Sequence, residues 1–556
     1  MEPYRIAVFR TMNAINSVRA LKSALKVVYL VTVLNCGGLL PVSARDFWVS
    51  HHGTATGTGE FNSPWDLQTA LNQPREVMPG DTIWLREGIY RGAFNSKLNG
   101  NAAAPVVVRN YDEGRAIIDR DGADATGSAA LTINGSHVWF WGLEITNSYP
   151  DRSRVSPFTS TVKAWRGPGV YVERGTSVKL INLIIHDNNT GIYDKEDGSE
   201  IYGCLIYFNG NNGFGHGMYI GNNAGTKVVK DCLVFDNAGL GIQSYSANPS
   251  SQQKNIQIEG NSVFNNGAIT LDDQNSTNIL VGGEVGISAE RITVINNYIY
   301  DDASVAPNKS KGLRLGQTDR NNKDAIIKDN YIACRVPVSI LWWQAVEFRD
   351  NTIYTQGTSG NVQIPAGLNP SSYQWDNNVY ISGRYQGPIF TFSNHSGLNK
   401  NAWRRIGFDN NSKVIHDALL RPAGGKVFVR PNRYECARGN ITVFNWDQKK
   451  FVTVDVSGLG LKFGDKFEVR DAQNYFGPAV VRGVYDGNPI SLPMNLTEIA
   501  RPIGNVERLP NHTSPEFAAF VIKRTARARS KTAGNGRINP RYSSNGAPVV
   551  NGPCPR

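Results

Sequence analysis

The chain has 556 residues, which exceeds what one compact core usually holds and indicates several domains or an elongated repeat. Its formal net charge of +11 would favour a nucleic-acid partner if it were spread over the whole protein. The excess lies at the two ends, because residues 1–44 carry five basic groups and one acid, and residues 524–556 carry seven basic groups and no acid. The neutral body argues against nucleic acid as a partner.

The first 44 residues have the pattern of an export signal. Basic residues precede the apolar run VVYLVTVL, and the small residues Val42, Ser43 and Ala44 offer a cleavage site. The run is too short to span a bilayer, so we expect cleavage after Ala44 and no stable membrane insertion. A soluble monomer, secreted to the extracellular or periplasmic space, is predicted. Five cysteines follow Ala44, and this odd, widely spaced set predicts no disulfide framework.

The next segment, residues 45–128, is predicted to hold an amino-terminal cap and the first rungs of a repeat. Three stretches within residues 47–122 carry this prediction, namely FWVSHHGTATGTGEFNSPWDLQTAL, MPGDTIWLREGIYRG and AAPVVVRNYDEGRAIIDRDG. They resemble the entry region of secreted right-handed parallel β-helix proteins of the pectate-lyase-like superfamily, notably the alginate lyase and chondroitinase B type. The resemblance implies the same all-β fold and, more loosely, a polysaccharide substrate.

Residues 129–420 contain two columns of short apolar strands. The first column recurs at intervals of 21 to 36 residues, with anchors at Ile185, Ile206, Val234, Val263, Ile299, Ile332 and Ile353. Asparagines flank these anchors at fixed positions, namely Asn188, Asn209, Asn237, Asn266, Asn261, Asn297, Asn330 and Asn351. This pattern predicts a right-handed parallel β-helix in which amide ladders satisfy backbone groups at the turns. Cys204 and Cys232 share one column and are predicted to be a buried stacked pair, free or bridged.

The second column begins at glycine, in GVYV, GIYD, GMYI, GIQS and GLRL. Because side chains alternate along a strand, the residue after the inward-facing one points to the outer wall. The predicted outward-facing, substrate-binding residues are Tyr171, Glu173, Tyr193, Gln243, Tyr245 and Arg314. Tyrosines one strand apart can stack on successive sugar rings. A ladder that only stabilises the exterior is an equally weighted alternative.

After residue 420 the repeat is lost and a simple alternation replaces it. Residues 427–524, with VFV, ITVFNW, FVTVDV, KFEVRDA and FAAFVI as strands, are predicted to form a small antiparallel β-sandwich. This domain would either bind carbohydrate or cover the open carboxyl end of the β-helix. Residues 525–556 are rich in Gly, Pro, Ser and Arg, and are predicted to be a disordered basic tail.

The predicted catalytic residues are His216, Lys195, Asp194, Glu196 and Tyr219, in and beside the second column. Strict alternation places Asp194 inward, where an unpaired carboxylate costs several kcal/mol. Either the strand bends and exposes Asp194, or partners satisfy it in a buried position. The same parity points His216 inward, so a turn-forming role between two glycines and a catalytic role are both open.

Two reactions are compatible with these residues. The segment GHGMYIGNN resembles the Gly-His-Gly segment of polygalacturonase-type glycoside hydrolases, which implies inverting hydrolysis by acids one rung earlier. The lyase resemblance implies β-elimination with Lys195, His216 or Tyr219 as base, and a cation such as Ca²⁺ held by Asp194 and Glu196. We expect a polysaccharide lyase first, a hydrolase second, and a non-catalytic glycan-binding or envelope protein third. The insertion at 149–166 is expected to form one wall of the groove.

Overall fold

Three twelve-stranded sheets form the walls of the repeat in the computed structural model. Sheet 1 consists of Asp46–Val49, Thr82–Leu85, Val106–Asn110, Val138–Trp141, Lys179–Ile181, Glu200–Tyr202, Lys227–Lys230, Gln253–Glu259, Ala289–Ile295, Ala325–Lys328, Val346–Arg349 and Tyr373–Asp376. Sheet 2 consists of Gly88–Arg91, Ala116–Asp119, Glu144–Thr146, Ile184–His186, Leu205–Tyr207, Leu233–Phe235, Ser262–Phe264, Tyr298–Tyr300, Tyr331–Cys334, Thr352–Thr355, Val379–Ser382 and Lys413–His416. Sheet 3 consists of Phe94–Ser96, Leu131–Ile133, Val170–Val172, Ile192–Asp194, Met218–Ile220, Ile242–Ser246, Thr277–Gly283, Lys311–Leu315, Val336–Leu341, Val362–Ala366, Phe390–Phe392 and His395–Leu398.

Each coil runs from sheet 1 to sheet 2 to sheet 3, and neighbouring coils pair in parallel. The exception is the last strand of sheet 3, which is antiparallel to its neighbour. Crossovers between parallel strands are right-handed. The predicted right-handed parallel β-helix is therefore confirmed, and its continuous apolar core runs inside the three sheets.

The residues that the structure describes are 44–112, 114–122, 124, 126–152, 165–210, 215–248, 251–271, 276–302, 310–356, 362–366, 370–382, 389–393, 395–416 and 421–527. The predicted signal peptide, except for Ala44, lies outside them, as does the predicted tail beyond residue 527. Within these ranges, no helix is long and apolar enough to cross a membrane.

Two asparagine ladders line the corners of the coils. Between sheets 2 and 3, each amide donates to the amide oxygen of the next coil, with N–O distances of 3.2, 3.1 and 2.9 Å along Asn188, Asn209, Asn237 and Asn266. Between sheets 1 and 2, the corresponding distances are 3.0, 3.0 and 2.9 Å along Asn261, Asn297, Asn330 and Asn351. The structural role predicted for these side chains is confirmed.

The cysteines follow the same register. Leu205 lies opposite Leu233, which puts Cys204 and Cys232 at matching positions of adjacent coils. Both thiols are buried and free, as the first of the two predicted alternatives requires. Cys436, however, is disulfide-bonded, although the sequence predicted no disulfide framework, and its partner lies outside the described residues.

The carboxyl-terminal domain is a two-layered antiparallel sandwich. Its five-stranded sheet has the order Gly425–Pro431, Arg438–Asn445, Phe517–Ala526, Lys466–Asp471 and Val481–Val484, and Phe451–Val454 pairs with Ile490–Pro493 in a second sheet. Apolar side chains of both layers share one core. The last strand runs two residues past the predicted boundary at 524.

This sandwich packs on the side of the β-helix, so the prediction that it covers the open carboxyl end is wrong. Its Phe517 stacks on Tyr300 of sheet 2 at 4.5 Å, and Phe444 contacts Tyr331 at 4.4 Å between ring centroids. The aromatic outer face of sheet 2 is thereby removed from water.

A short helix covers the last coils instead. Among the described residues, the helices are Leu67–Leu71, Lys400–Ile406 and the single 3₁₀ turns Pro370–Ser372 and Ser457–Leu459. In the helix Lys400–Ile406, Trp403 is fully buried, and its ring centroid stacks 4.5 Å from that of Phe390. Its indole N–H donates to the Asp409 carboxylate at 2.7 Å. The bulky indole gives the terminal coil an apolar lid.

A buried charged cluster lies beside the sandwich. His186 Nδ1 is 2.7 Å from the Asp187 carboxylate, and Nε2 is 3.2 Å from Glu144. Arg115 pairs with Glu144 through two bonds of 2.8 Å, and Arg152 pairs with Asp187. Burial opposes the charged imidazole, but the bonds to Asp187 and Glu144 outweigh it and raise the pKa of His186 to about 9.

Replacing His186 by glutamine should therefore destabilise the protein most at low pH. A histidine whose folded pKa is raised from about 6.5 stabilises the fold fully below that value, and this contribution is lost as the pH rises through about 9. The shift corresponds to roughly 3 kcal/mol. Urea unfolding of both proteins at pH 6 and pH 9 measures the difference, with exposed His52→Gln as the control. An equal cost at both pH values would contradict this assignment.

Candidate functional site

The outer face of sheet 3 carries a row of tyrosines. Tyr171 lies opposite Tyr193, which lies opposite Tyr219, and Tyr245 follows one coil later on the same face. Ring centroids are 5.2, 5.1 and 6.2 Å apart along this row. We call these four residues the tyrosine ladder. The predicted alternation is observed, and the ladder presents partly exposed rings spaced by one strand separation.

Lys195 lies against the tyrosine ladder. Its ammonium nitrogen is 3.5 Å from the ring centroid of Tyr219 and donates to the carbonyl oxygens of Ile220, at 3.1 Å, and of Tyr245. Burial, together with the positive charge of nearby Lys227, lowers the pKa of Lys195 to about 7. A neutral amine keeps two N–H donors for these carbonyls and has a lone pair free to accept a proton. Lys195 can therefore act as a base near neutral pH.

Asp194 points into the lumen of the β-helix. Its side chain has no exposed surface and forms an ion pair of 2.5 Å with Lys227, which is equally buried. The second predicted alternative, a buried aspartate satisfied by partners, is the observed one. Its other oxygen accepts the backbone N–H of Glu196 at 3.1 Å, which fixes the turn after the strand. Asp194 therefore supports the site from behind and does not face the outer groove.

The acids of the outer face lie next to the tyrosine ladder. Burial, followed by the charges of Asp194 and Asp197, raises the pKa of Glu196. The charge of Glu173 also contributes to this shift. The hydroxyl of Tyr245 donates to Glu284 at 2.5 Å. A carboxyl group with a raised pKa and an amine with a lowered pKa, carried here by the consecutive residues Glu196 and Lys195, are typical of acid and base catalysis.

His216 lies at the corner between sheets 2 and 3. Its Nδ1 accepts the backbone N–H of Leu240 at 3.2 Å, and its ring centroid is 5.9 Å from that of Tyr219. Burial, together with the positive charge of Lys195, lowers the pKa of His216 to about 4. The imidazole is thus neutral at pH 7, with its proton on Nε2. Such a ring can donate a hydrogen bond to a ligand, but its acceptor nitrogen is already occupied.

Tyr219 is a poor base in this setting. Burial raises its pKa well above the ordinary value, and burial also raises the pKa of Tyr193 and Tyr171. Their phenols remain protonated at neutral pH and act as donors or stacking platforms.

Gln243 and Arg314 continue the outer face beyond the ladder. Gln243 lies opposite Tyr219, and Arg314 follows two coils later with Leu280 between them. Gln243 Oε1 and Arg314 Nε are buried and have no hydrogen-bond partner within the described ranges. Unpartnered buried polar atoms are unusual in a native fold.

The insertion expected to wall the groove lies mostly outside the described residues. Its two described ends hold Arg152, which bonds to the carbonyls of Phe208 and Gly210 at 3.0 Å, and Arg166, which bonds to the carbonyl of Asp187 at 2.9 Å. Both ends therefore attach to the corner between sheets 2 and 3, where His216 also lies. The prediction that residues 149–166 form a wall remains a prediction.

A comparison with protein families gives a match over residues 47–333, to the Pel9A-like right-handed β-helix region. This range is more than half of the chain. The chain belongs to the Pel9A-like β-helix family. The match extends over the cap and the coils up to residue 333, and it agrees with the right-handed β-helix described above.

Several solved structures are similar to this Pel9A-like chain. Pectate lyase Pel9A is 18% identical, with 63% of this chain and 77% of that chain covered and a TM-score of 0.40. A GH136 lacto-N-biosidase from Eubacterium ramulus is 15% identical, with 67% and 68% covered and a TM-score of 0.44. A rhamnogalacturonan lyase is 13% identical, with 67% and 88% covered and a TM-score of 0.43. No curated protein sequence matches the chain.

The predicted calcium ligands do not fit a cation in this Pel9A-like chain. The carboxylate of Asp194 is inside the lumen and already neutralised by Lys227. Within the described ranges, no three His, Cys, Asp or Glu side chains are grouped so as to hold a metal ion. Calcium binding by Asp194 with Glu196 is therefore not supported, since hard cations need several oxygen ligands around one point.

Sequence reasoning missed two residues of this Pel9A-like site. Lys227, the partner of Asp194, begins a strand of sheet 1, where its charge gave no reason to place it inside. The conflict between an inward-facing aspartate and an apolar lumen was the available signal, because a buried carboxylate requires a cationic partner. Glu284, which binds the hydroxyl of Tyr245, follows a strand by one residue and had no comparable signal.

Proposed function

We propose that the protein is a secreted enzyme that cleaves an extracellular uronic-acid polysaccharide by β-elimination. The observation that carries this proposal is the position of Lys195, an amine with a pKa of about 7 on a tyrosine ladder. Neighbouring rings of the ladder meet edge to face, and those with an open face can stack on sugar units of a bound chain. The amine then lies where it can reach one of those units.

The chemistry assigns one role to each group. The neutral amine of Lys195 removes the proton on the carbon next to the uronate carboxylate, and the electron pair forms a carbon–carbon double bond as the glycosidic C–O bond breaks. The departing oxygen takes up a proton, which Glu196, with its raised pKa, can supply. Hydrogen bonds from His216 Nε2–H and the tyrosine hydroxyls would offset the charge that develops on the carboxylate.

The first test is a panel of substrates. Purified protein is incubated with polygalacturonate, alginate, chondroitin and, as a neutral control, xylan. We expect ultraviolet absorbance from an unsaturated product, in step with new reducing ends, with at least one acidic polymer and not with xylan. Heat-inactivated protein is the blank. Absence of any ultraviolet-absorbing product from all three acidic polymers would contradict β-elimination.

An inverting glycoside hydrolase is the second candidate. Glu196 has a raised pKa to which the charge of Glu173 contributes, and inversion needs one protonated and one ionised carboxyl group. The same panel distinguishes the two reactions, because hydrolysis produces reducing ends without ultraviolet absorbance. A protein that binds glycans without cleaving them would give neither signal.

A further inference from the structure

A second cleft lies far from the tyrosine ladder, between the β-helix and the sandwich. Its volume is about 510 Å³, within the range typical of ligand sites. The β-helix wall comes from the turns between sheets 1 and 2, near Asn110 and Asn182, and the sandwich wall includes Tyr475 and Phe476. We call this space the interdomain cleft.

Basic side chains dominate the interdomain cleft. The basic lining residues are Arg109, Arg115, Arg438, Arg470, Lys523 and Arg524. Five of them already face a carboxylate at distances between 2.6 and 3.6 Å, in the pairs with Glu144, Glu435, Glu468 and Asp465. Each of these five therefore has a carboxylate beside it, although Arg470 and Lys523 share Glu468, and Arg109 differs from them.

Arg109 lies against two indole rings and has no such partner. Its guanidinium lies 4.1 Å from the ring centroid of Trp141 and 5.0 Å from that of Trp84. Its Nε is buried without a hydrogen-bond acceptor, and no ion pair of Arg109 is found within the described ranges. The nearest acid, Glu435, already accepts the indole N–H of Trp141 at 2.6 Å and binds Arg438. Stacking on ring faces leaves the N–H edges of the guanidinium free for a planar anion.

We propose that the interdomain cleft binds the carboxylate of an acidic oligosaccharide, with Arg109 as its anchor, at a site separate from the tyrosine ladder. A carboxylate matches the two terminal NH2 groups of the guanidinium, whereas the buried Nε is out of its reach. The ring of Phe476, which is covered on one face by Arg115 at 3.8 Å, gives the cleft an aromatic wall for a sugar ring. The uronic-acid class of the ligand rests on the proposed function, whereas the anion site rests on the cleft alone.

Such a site would hold a polymer chain while a distant part of it is cleaved. When a long chain is bound at one of two sites on the same protein, the effective concentration of that chain at the other site is raised. Short oligosaccharides cannot span both, so the second site should matter for polymers and not for short substrates.

Calorimetric titration tests the proposal. The Lys195→Met background is used so that the ligand stays intact, and the probes are saturated trisaccharides of galacturonate and of mannuronate, a sulfated trisaccharide, and neutral cellotriose. We expect an acidic trisaccharide to bind, and Arg109→Gln to weaken one binding event by about 10- to 100-fold, as expected when a charged hydrogen-bonding group is removed. A general anion site would also bind the sulfated probe, whereas a site specific for carboxylates would not. Either result supports an anion site in the cleft.

Two controls keep the result interpretable. Arg320→Gln removes another arginine that is stacked on a tryptophan, at 4.6 Å from Trp342, and should leave binding unchanged. Arg109→Lys keeps the charge but not the fork, and should weaken binding less than Arg109→Gln. Thermal unfolding verifies that each variant folds.

The outcomes for the two sites are separable. The inference is overturned if Arg109→Gln binds every acidic probe as tightly as its parent does. A separate variant of the tyrosine ladder, Tyr193→Ala, reports on the proposed function. Loss of binding in Tyr193→Ala would support the proposed function and would not rescue the inference about the cleft. If no acidic probe binds at all, the inference is likewise overturned. The cleft is supported as a second site if two results are obtained together. Arg109→Gln, in folded protein on the Lys195→Met background, loses binding. The otherwise wild-type Arg109→Gln enzyme turns over short substrates at an unchanged rate.

Discussion

Replacing Lys195 by methionine should lower turnover of the acidic polysaccharide by about 10²- to 10⁴-fold, the range typical of losing a general base. Methionine has a similar length and keeps the apolar contact with the ring of Tyr219, but it cannot accept a proton. A base works only when it is deprotonated, so the activity of the parent enzyme should rise with pH through about 7 and be lost below it. Initial rates of double-bond formation across pH 5 to 9 measure both effects.

The matched control is Lys230→Met. Lys230 lies on sheet 1 and pairs with Glu259 at 2.7 Å on a partly exposed surface, away from the tyrosine ladder. It should retain full activity and the pH profile of the parent. If Lys195→Met keeps the parent's rate, Lys195 is not the base.

Replacing Lys227 by methionine should reduce the free energy of unfolding by about 3–5 kcal/mol. The substitution leaves the carboxylate of Asp194 in the lumen, with no exposed surface and without its ion-pair partner. Burial of an unpaired charge costs far more than loss of an exposed pair. Denaturant unfolding at pH 7 measures the cost, and the same Lys230→Met control should lose less than about 1 kcal/mol.

The double variant Lys227→Met with Asp194→Leu separates charge from packing. It removes both charges and fills the lumen with apolar atoms, so it should recover most of the lost stability. The buried charge would not be the cause if the double variant were less stable than Lys227→Met alone. Because the charge of Lys227 helps to lower the pKa of Lys195, Lys227→Met should also shift the pH profile of turnover to higher pH.

The fold was predictable because its signals are local. Asparagine at fixed positions beside short apolar strands indicates a turn ladder, and the ladders of Asn209 and Asn297 follow it coil by coil. Alternation along a strand indicates which side chain faces out, and this placed Tyr193 and Tyr219 on one wall. The matching buried positions of Cys204 and Cys232 followed from the same register, whereas their free state did not, because the sequence allowed a bridge.

The candidate site was predictable only in part. The predicted grouping of Lys195, Tyr219 and His216 is observed, because the amine and the imidazole both lie near the ring of Tyr219; their catalytic roles stay a prediction. Their protonation was not predictable, because the lowered pKa of Lys195 and of His216 depends on burial and on charges from other coils. The position of Asp194 was narrowed to two alternatives, and the choice depended on Lys227, which lies in another sheet.

The sequence by itself determined the repeat, the inward and outward faces of its strands, and the aromatic row that they present, since each depends on neighbours within one coil. Tertiary structure alone decided what lies against those faces. The sandwich covers sheet 2 because the rings of Tyr300 and Tyr331 need apolar partners, and a helix with Trp403 closes the last coil. The interdomain cleft and its unpaired Arg109 likewise arise only when residues more than 300 positions apart meet. Contacts over such separations leave no periodic trace in a single sequence, because they depend on shape and charge across two folded surfaces.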